Sequence, residues 1–151
     1  MSTRGYIGIT QNNGTVKFIY CHNDSMIDGL GILLYKYYNT EELAEKLINM
    51  GNVSSVHSTL SSSKFYKEQN YIGSLLDFLC ENEPDIEWVY LFDKDKGKWY
   101  AGSCWNGCKK SNLVPLGEAL GSKTILEHWF KGVIYEDCIN DCINHCIKAA
   151  S

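Results

Sequence analysis

Two short runs rich in β-branched and aromatic residues, 5–10 (Gly-Tyr-Ile-Gly-Ile-Thr) and 15–22 (Thr-Val-Lys-Phe-Ile-Tyr-Cys-His), flank Gln11-Asn12-Asn13-Gly14. Asn and Gly tolerate the positive φ that tight hairpin turns need. The chain therefore opens as a β-hairpin. Its second strand runs into His22, Asn23 and Asp24, then a glycine-containing loop (Asp28, Gly29, Gly31) and a helix. Polar side chains at a strand end ahead of a loop are a common place for a binding site.

A second hairpin is expected further on. Ile86 to Phe92 reads as a strand, Asp93-Lys94-Asp95-Lys96-Gly97 as a polar turn, and Lys98 to Ser103 as the returning strand. Leu30 to Tyr38 is apolar almost all round and reads as a short buried helix. Asn39 or Thr40 then caps a helix with Glu41 and Glu42 in its first turn, a stripe of Leu43, Leu47, Ile48 and Met50, and Gly51 as its stop. The serine-rich stretch 52–69 reads as a surface loop and 70–82 as a helix, closed by Glu83-Pro84-Asp85. Residues 104–121, with Gly107, Pro115, Gly117 and Gly121, read as mostly irregular. Thr124 to Phe130 suits either a strand or a short helix, and Glu136 to Ala150 reads as a helix. These elements describe one α+β domain over 1–151: about four antiparallel strands in two hairpins, with three to four helices packed on the sheet.

Composition narrows the function classes. At 151 residues and 44% hydrophobic, the chain can bury a real core. The formal charge is −4, the largest basic cluster is Lys109-Lys110, and Arg4 is the sole arginine. Direct nucleic-acid binding is therefore disfavoured. No apolar run reaches the roughly 18 residues a membrane span needs, and the N-terminus lacks an apolar signal core. The expected place is the cytoplasm, where seven cysteines fit reduced thiols better than a disulfide framework.

Several residues carry chemistry. Tyr20, His22 and Asp24 share a face if the strand continues. They would form a metal half-site, a general base with its orienter, a polar ligand anchor, or simply a strand-end hydrogen-bond pair. Trp88, Tyr90 and Phe92 share one face of their strand, while Phe18 and Tyr20 alternate with Ile19 and Cys21. One sheet face would then be aromatic, either half-buried beside the helices or an interface platform that includes Trp99 and Trp105. Cys138, Cys142 and Cys146 stand four apart with His145 beside the last, and Cys104 and Cys108 lie upstream. Ile139, Ile143 and Ile147 keep the same rhythm, so a thiol-containing core stripe outweighs a metal site. No metal and no cofactor is expected, and no nucleophile–base pair is apparent in the spacing.

Thr3-Arg4-Gly5-Tyr6-Ile7-Gly8-Ile9 and Ile19-Tyr20-Cys21-His22-Asn23-Asp24 resemble the N-terminal signature of small uncharacterised bacteriophage and prophage proteins. That signature runs Thr-Arg-Ser-Tyr-Ile-Gly-Ile, a turn, then Ile-Tyr-Cys-His-Trp-Asp-Gly. Leu33-Leu34-Tyr35-Lys36-Tyr37-Tyr38, Tyr90-Leu91-Phe92-Asp93 and Gly97-Lys98-Trp99-Tyr100 are also similar to family segments. The chain departs at Asn23, where the family usually has Trp, and at Ser25-Met26-Ile27, where Gly-Tyr-Pro is common. The resemblance implies a phage or mobile-element origin. Together with the composition it gives the expected function: a non-enzymatic accessory protein that inhibits a host defence component, in the manner of anti-CRISPR inhibitors. The expected partner is a host defence protein or complex, and a homo-oligomer is compatible. The alternatives are a sponge for a nucleotide immune signal, which the scarcity of arginine disfavours, and a small enzyme using His22 and Asp24.

Overall fold

The computed structural model describes residues 3–79, 85–104, 113–130, 140 and 142–143. Both expected hairpins form: β1 (Gly5–Thr10) with β2 (Val16–Cys21), and β6 (Trp88–Asp93) with β7 (Lys98–Ser103). Gly14 and Gly97 sit in the two turns at φ 84° and 66°, where a side chain would be strained.

The expectation of about four antiparallel strands is corrected. Among the described residues the sheet has eight strands and is mixed, in the order β4 (Lys64–Lys67), β3 (Asn52–Ser55), β2, β1, β6, β7 and β8 (Val114–Pro115), with β5 (Tyr71–Gly73) also on β2. β1 runs parallel to β6, and β2 parallel to β3 (Asn52–Ser55). The serine-rich stretch is thus not all loop: β3 and β4 (Lys64–Lys67) bracket a turn in which Thr59, Ser61, Ser62 and Ser63 bond one another. The segment read as one helix over 70–82 starts as β5 (Tyr71–Gly73) and becomes helix α3 only at Leu75–Leu79. Ser74 and Asp77 set that switch. The Ser74 Oγ accepts from Asp77 N at 3.1 Å, and Asp77 Oδ2 accepts from Ser74 N at 3.0 Å, a reciprocal cap. Part of the stretch expected to be irregular is also ordered, as β8 (Val114–Pro115) and helix α4 (Leu116–Gly121). Lys123–Phe130 resolves its ambiguity as helix α5. The expected helix over 136–150 lies almost wholly outside the described residues.

Helix α1 (Ile32–Tyr37) is entered through a π-turn, Ile27–Gly31. Helix α2 (Glu41–Asn49) starts on Thr40, whose Oγ1 accepts from Leu43 N at 3.1 Å, and is followed by Gly51 at φ 97°. Its buried face is Ala44, Leu47 and Ile48; Leu43 and Met50 of the expected stripe are exposed.

Helices α1, α2, α4 and α5 cover one face of the sheet, over Ile7, Ile9, Ile19, Cys21, Trp88 and Tyr90. Only α3 lies on the other, where Phe78 and Leu79 pack with Val16, Phe18, Val89 and Leu91. Gly8 makes room there: a Cβ on it would stand 2.6 Å from Phe78 Cε1. Among the described residues this five-residue helix leaves part of the second face uncovered.

Candidate functional site

The open part lies where β2 ends. Alternation sends Ile19 and Cys21 into the first core and Phe18 and Tyr20 to the second face, and His22 follows Tyr20. The Tyr20 hydroxyl lies 2.8 Å from His22 Nδ1, with ring centroids 5.8 Å apart. Tyr6 packs on Phe18 at 4.9 Å and edge-on to Tyr20 at 6.4 Å, and Tyr71 packs on Phe18 at 5.6 Å. Burial raises the Tyr20 phenol above its ordinary range, opposed by the Arg4 guanidinium. Arg4 holds its own place through its carbonyl, which accepts from Glu87 N at 3.0 Å, and through an ion pair with the exposed Asp85 at 3.8 Å.

Asn52 organises this corner. The outer edge of β2 is shared: β5 pairs with Val16–Phe18, and β3 with Cys21. Tyr20 falls in the gap between them, and the Asn52 side chain fills it. Its Oδ1 accepts from Tyr20 N at 2.9 Å, and its Nδ2 donates to Tyr71 Oη at 3.1 Å. Asn52 is one of two buried polar residues among those described, the other being Ser25. Nothing in the sequence marked it, because its partners come from strands that only the fold brings together.

Beyond this corner the surface is apolar. Tyr66 is 56% exposed, Ile72 67% and Leu76 63%, with Tyr71 at 36%. Tyr66, Tyr71 and Leu76 thus extend the aromatic corner outwards, whereas Ile72 stands opposite Lys17 and points to the other face of the sheet.

The sequence-derived site residues separate on the structure. Tyr20 and His22 meet as expected. Asp24 does not join them, because the strand stops at Cys21 and Asp24 adopts φ 58°. Its backbone carbonyl accepts from Leu30 N, and its carboxylate makes no bond to His22. Trp88, Tyr90 and Trp99 are in the first core, each 1% exposed or less. Trp88 packs edge-on to Trp129, the Tyr90 hydroxyl donates to Ser25 O at 2.7 Å, and Trp99 Nε1 donates to Tyr38 O at 2.9 Å. These rings hold the fold and have no surface for a ligand. The expected single aromatic face is therefore corrected, and the reason is register. Parallel pairing sets Ile7 opposite Tyr90 and Tyr6 opposite Val89. The aromatic residues of β6 and those of β2 consequently point to opposite faces. Trp105 lies outside the described residues, as do Cys138, His145 and Cys146; Cys142 is buried in the first core.

Covalent catalysis with His22 as its base would need a nucleophile beside the ring. Cys21 points to the other face, and burial pushes its thiol up to about 11, away from the reactive thiolate. Ser55 Oγ lies 3.1 Å from His57 Nε2, a contact the sequence reading missed. No carboxylate among the described residues bonds that ring to orient it. No group of three His, Cys, Asp or Glu side chains suited to a metal occurs among the described residues. No helix there is long and apolar enough to cross a membrane.

What the geometry of the described residues defines is a mixed-sheet α+β protein with one helix-covered face and one aromatic face that they leave partly uncovered. Comparison with protein-family models, with curated proteins and with solved structures gives no match to this chain.

Proposed function

We propose that the protein acts by binding, as a phage- or prophage-encoded inhibitor that docks on a host defence protein through the open part of its second sheet face. The observation that carries this reading is the exposure of Tyr66, Tyr71 and Leu76 near the half-buried Tyr20–His22 pair. Contiguous exposed apolar groups mark interaction surfaces, and tyrosine supplies large contact area with a polar tip that tolerates water before the partner arrives. The resemblance of Thr3–Ile9 and Ile19–Asp24 to phage proteins supplies the setting: the cytoplasm of an infected or lysogenic bacterium. Catalysis on His22 and Asp24 is disfavoured because the two side chains do not meet.

The test is phage plating on bacteria that carry one defence system each, with and without this protein. One or more systems should be inhibited, restoring plating at least about tenfold. The Tyr66→Asp/Leu76→Asp double variant should lose that effect, since burying an unpaired carboxylate in an interface is costly. Its far-UV circular dichroism should match that of the parent. Full inhibition by a folded double variant would refute the assignment of the surface, and no inhibited system in a broad panel would refute the role.

A further inference from the structure

The opposite end of the same sheet face, away from His22, opens into a groove of about 320 Å³. Its apolar wall comes from Val16, Leu75, Leu91 and Leu113, all in or against the smaller core. Its rim is Thr10, Asp93, Lys96 and Tyr100. The Thr10 hydroxyl and one oxygen of the Asp93 carboxylate are already engaged. Thr10 Oγ1 accepts from Lys94 N at 2.9 Å, and Asp93 Oδ1 accepts from Asp95 N at 2.9 Å and Lys96 N at 3.2 Å. The donors are not engaged in the same way. Lys96 Nζ stands 5.5 Å and Lys98 Nζ 5.7 Å from the centroid of the Tyr100 ring. Neither ammonium is in an ion pair among the described residues. A chain of net charge −4 thus places the Lys96 ammonium at the mouth of an apolar groove, with Lys98 on the same Tyr100 ring.

We propose that this groove binds a small anionic amphiphile, with an aliphatic or aromatic body on Val16, Leu75 and Leu91 and a carboxylate or comparable anionic head against Lys96 and Tyr100. The volume is at the lower end of small-molecule sites, which combine an apolar lining with a few placed polar groups. The body gains from leaving water. The head gains a charge-assisted hydrogen bond from Lys96, which has no acceptor to give up among the described residues. The groove adjoins the docking surface at α3, where Leu75 lines the groove and Leu76 belongs to that surface, but its polar rim on Lys96 and Tyr100 is separate from it.

The test is titration of the intact protein with octanoate, followed by amide ¹H–¹⁵N shifts, with 1-octanol as the uncharged probe of the same tail. Octanoate should produce saturable shifts that centre on Thr10, Val16, Leu75 and Tyr100, with a Kd at or below about 1 mM. Octanol should bind at least about threefold more weakly, and Lys96→Met should weaken octanoate about three- to tenfold while leaving octanol unchanged. Lys96→Arg should retain binding. Lys96 is on an exposed turn, so these variants keep the fold. The proposal is overturned if no saturable shifts occur, if they centre elsewhere, or if octanol binds as tightly as octanoate and Lys96→Met changes neither.

Discussion

Asn52→Ala tests whether one buried amide holds three strands together. Asn52 sits on β3 at 3% exposure, accepts from Tyr20 N on β2 and donates to Tyr71 Oη on β5. Alanine removes both bonds and places no polar atom in the gap. The Tyr20 N–H has no strand partner at that point, since β5 pairs only as far as Phe18 and β3 begins at Cys21. Leaving such a donor without an acceptor costs roughly 1–3 kcal/mol. The second bond is worth roughly 0.5–1 kcal/mol, at the low end because the exposed side of Tyr71 can turn to water. The expected loss is about 2–3 kcal/mol, a fall in Tm of roughly 5–10 °C for a chain of this size. Urea unfolding followed by tryptophan fluorescence reads it, with an unchanged m-value. Tyr71→Phe alone should cost less than about 1 kcal/mol, and adding it to Asn52→Ala should cost almost nothing more, because both remove the same bond. A loss below about 1 kcal/mol for Asn52→Ala would refute the reasoning, since Tyr20 N–H would then have another acceptor.

Three further outcomes follow, two from the core and one from a helix cap. The folded state holds the Cys21 proton up to about pH 11, whereas the unfolded chain releases it near 9.0. Stability should therefore be complete below pH 9 and decline as the pH rises towards 11; Cys21→Ala should flatten that decline in chemical-denaturation curves taken from pH 8 to 11. Gly8→Ala sets a methyl 2.6 Å from Phe78 Cε1 and 2.8 Å from Val16 Cγ1 and should cost about 1–3 kcal/mol, with part recovered by Phe78→Leu in the same chain. Thr40→Ala removes the cap on Leu43 N and should cost about 1 kcal/mol in the same urea assay.

Both hairpins and helix α2 were legible because their signals are local. Asn13-Gly14 turns β1 into β2, and Thr40 with Glu41 and Glu42 starts a helix wherever the chain leads. The stretch 52–79 was misread for the converse reason. Ser54 and Ser55 carry little strand preference, and β3 exists because His22 N and Asn23 N donate to Val53 O and Ser54 O. Residues 70–79 keep helical spacing throughout, yet Lys17 and Phe18 draw Tyr71 and Ile72 into the sheet before Ser74 starts α3. The Ser74-x-x-Asp77 cap was visible in the sequence and marks where that helix begins. At the candidate site, alternation correctly placed Tyr20 beside His22, and the left-handed backbone at Asp24 removed the third member.

By itself, then, the sequence determined the α+β class, both hairpins, the caps of α2 and the pairing of Tyr20 with His22, all set by residues close together in the chain. Only the tertiary structure decided which aromatic rings are core and which are surface. That choice follows from the parallel registers of β1 on β6 and β3 on β2, and a one-residue slip in either would exchange the faces. Parallel strands are joined through long connections, so no local pattern encodes their register. Burial of apolar area over the whole sheet selects it. The same selection put Asn52 in the gap beside Tyr20 and left Tyr66, Ile72 and Leu76 facing water.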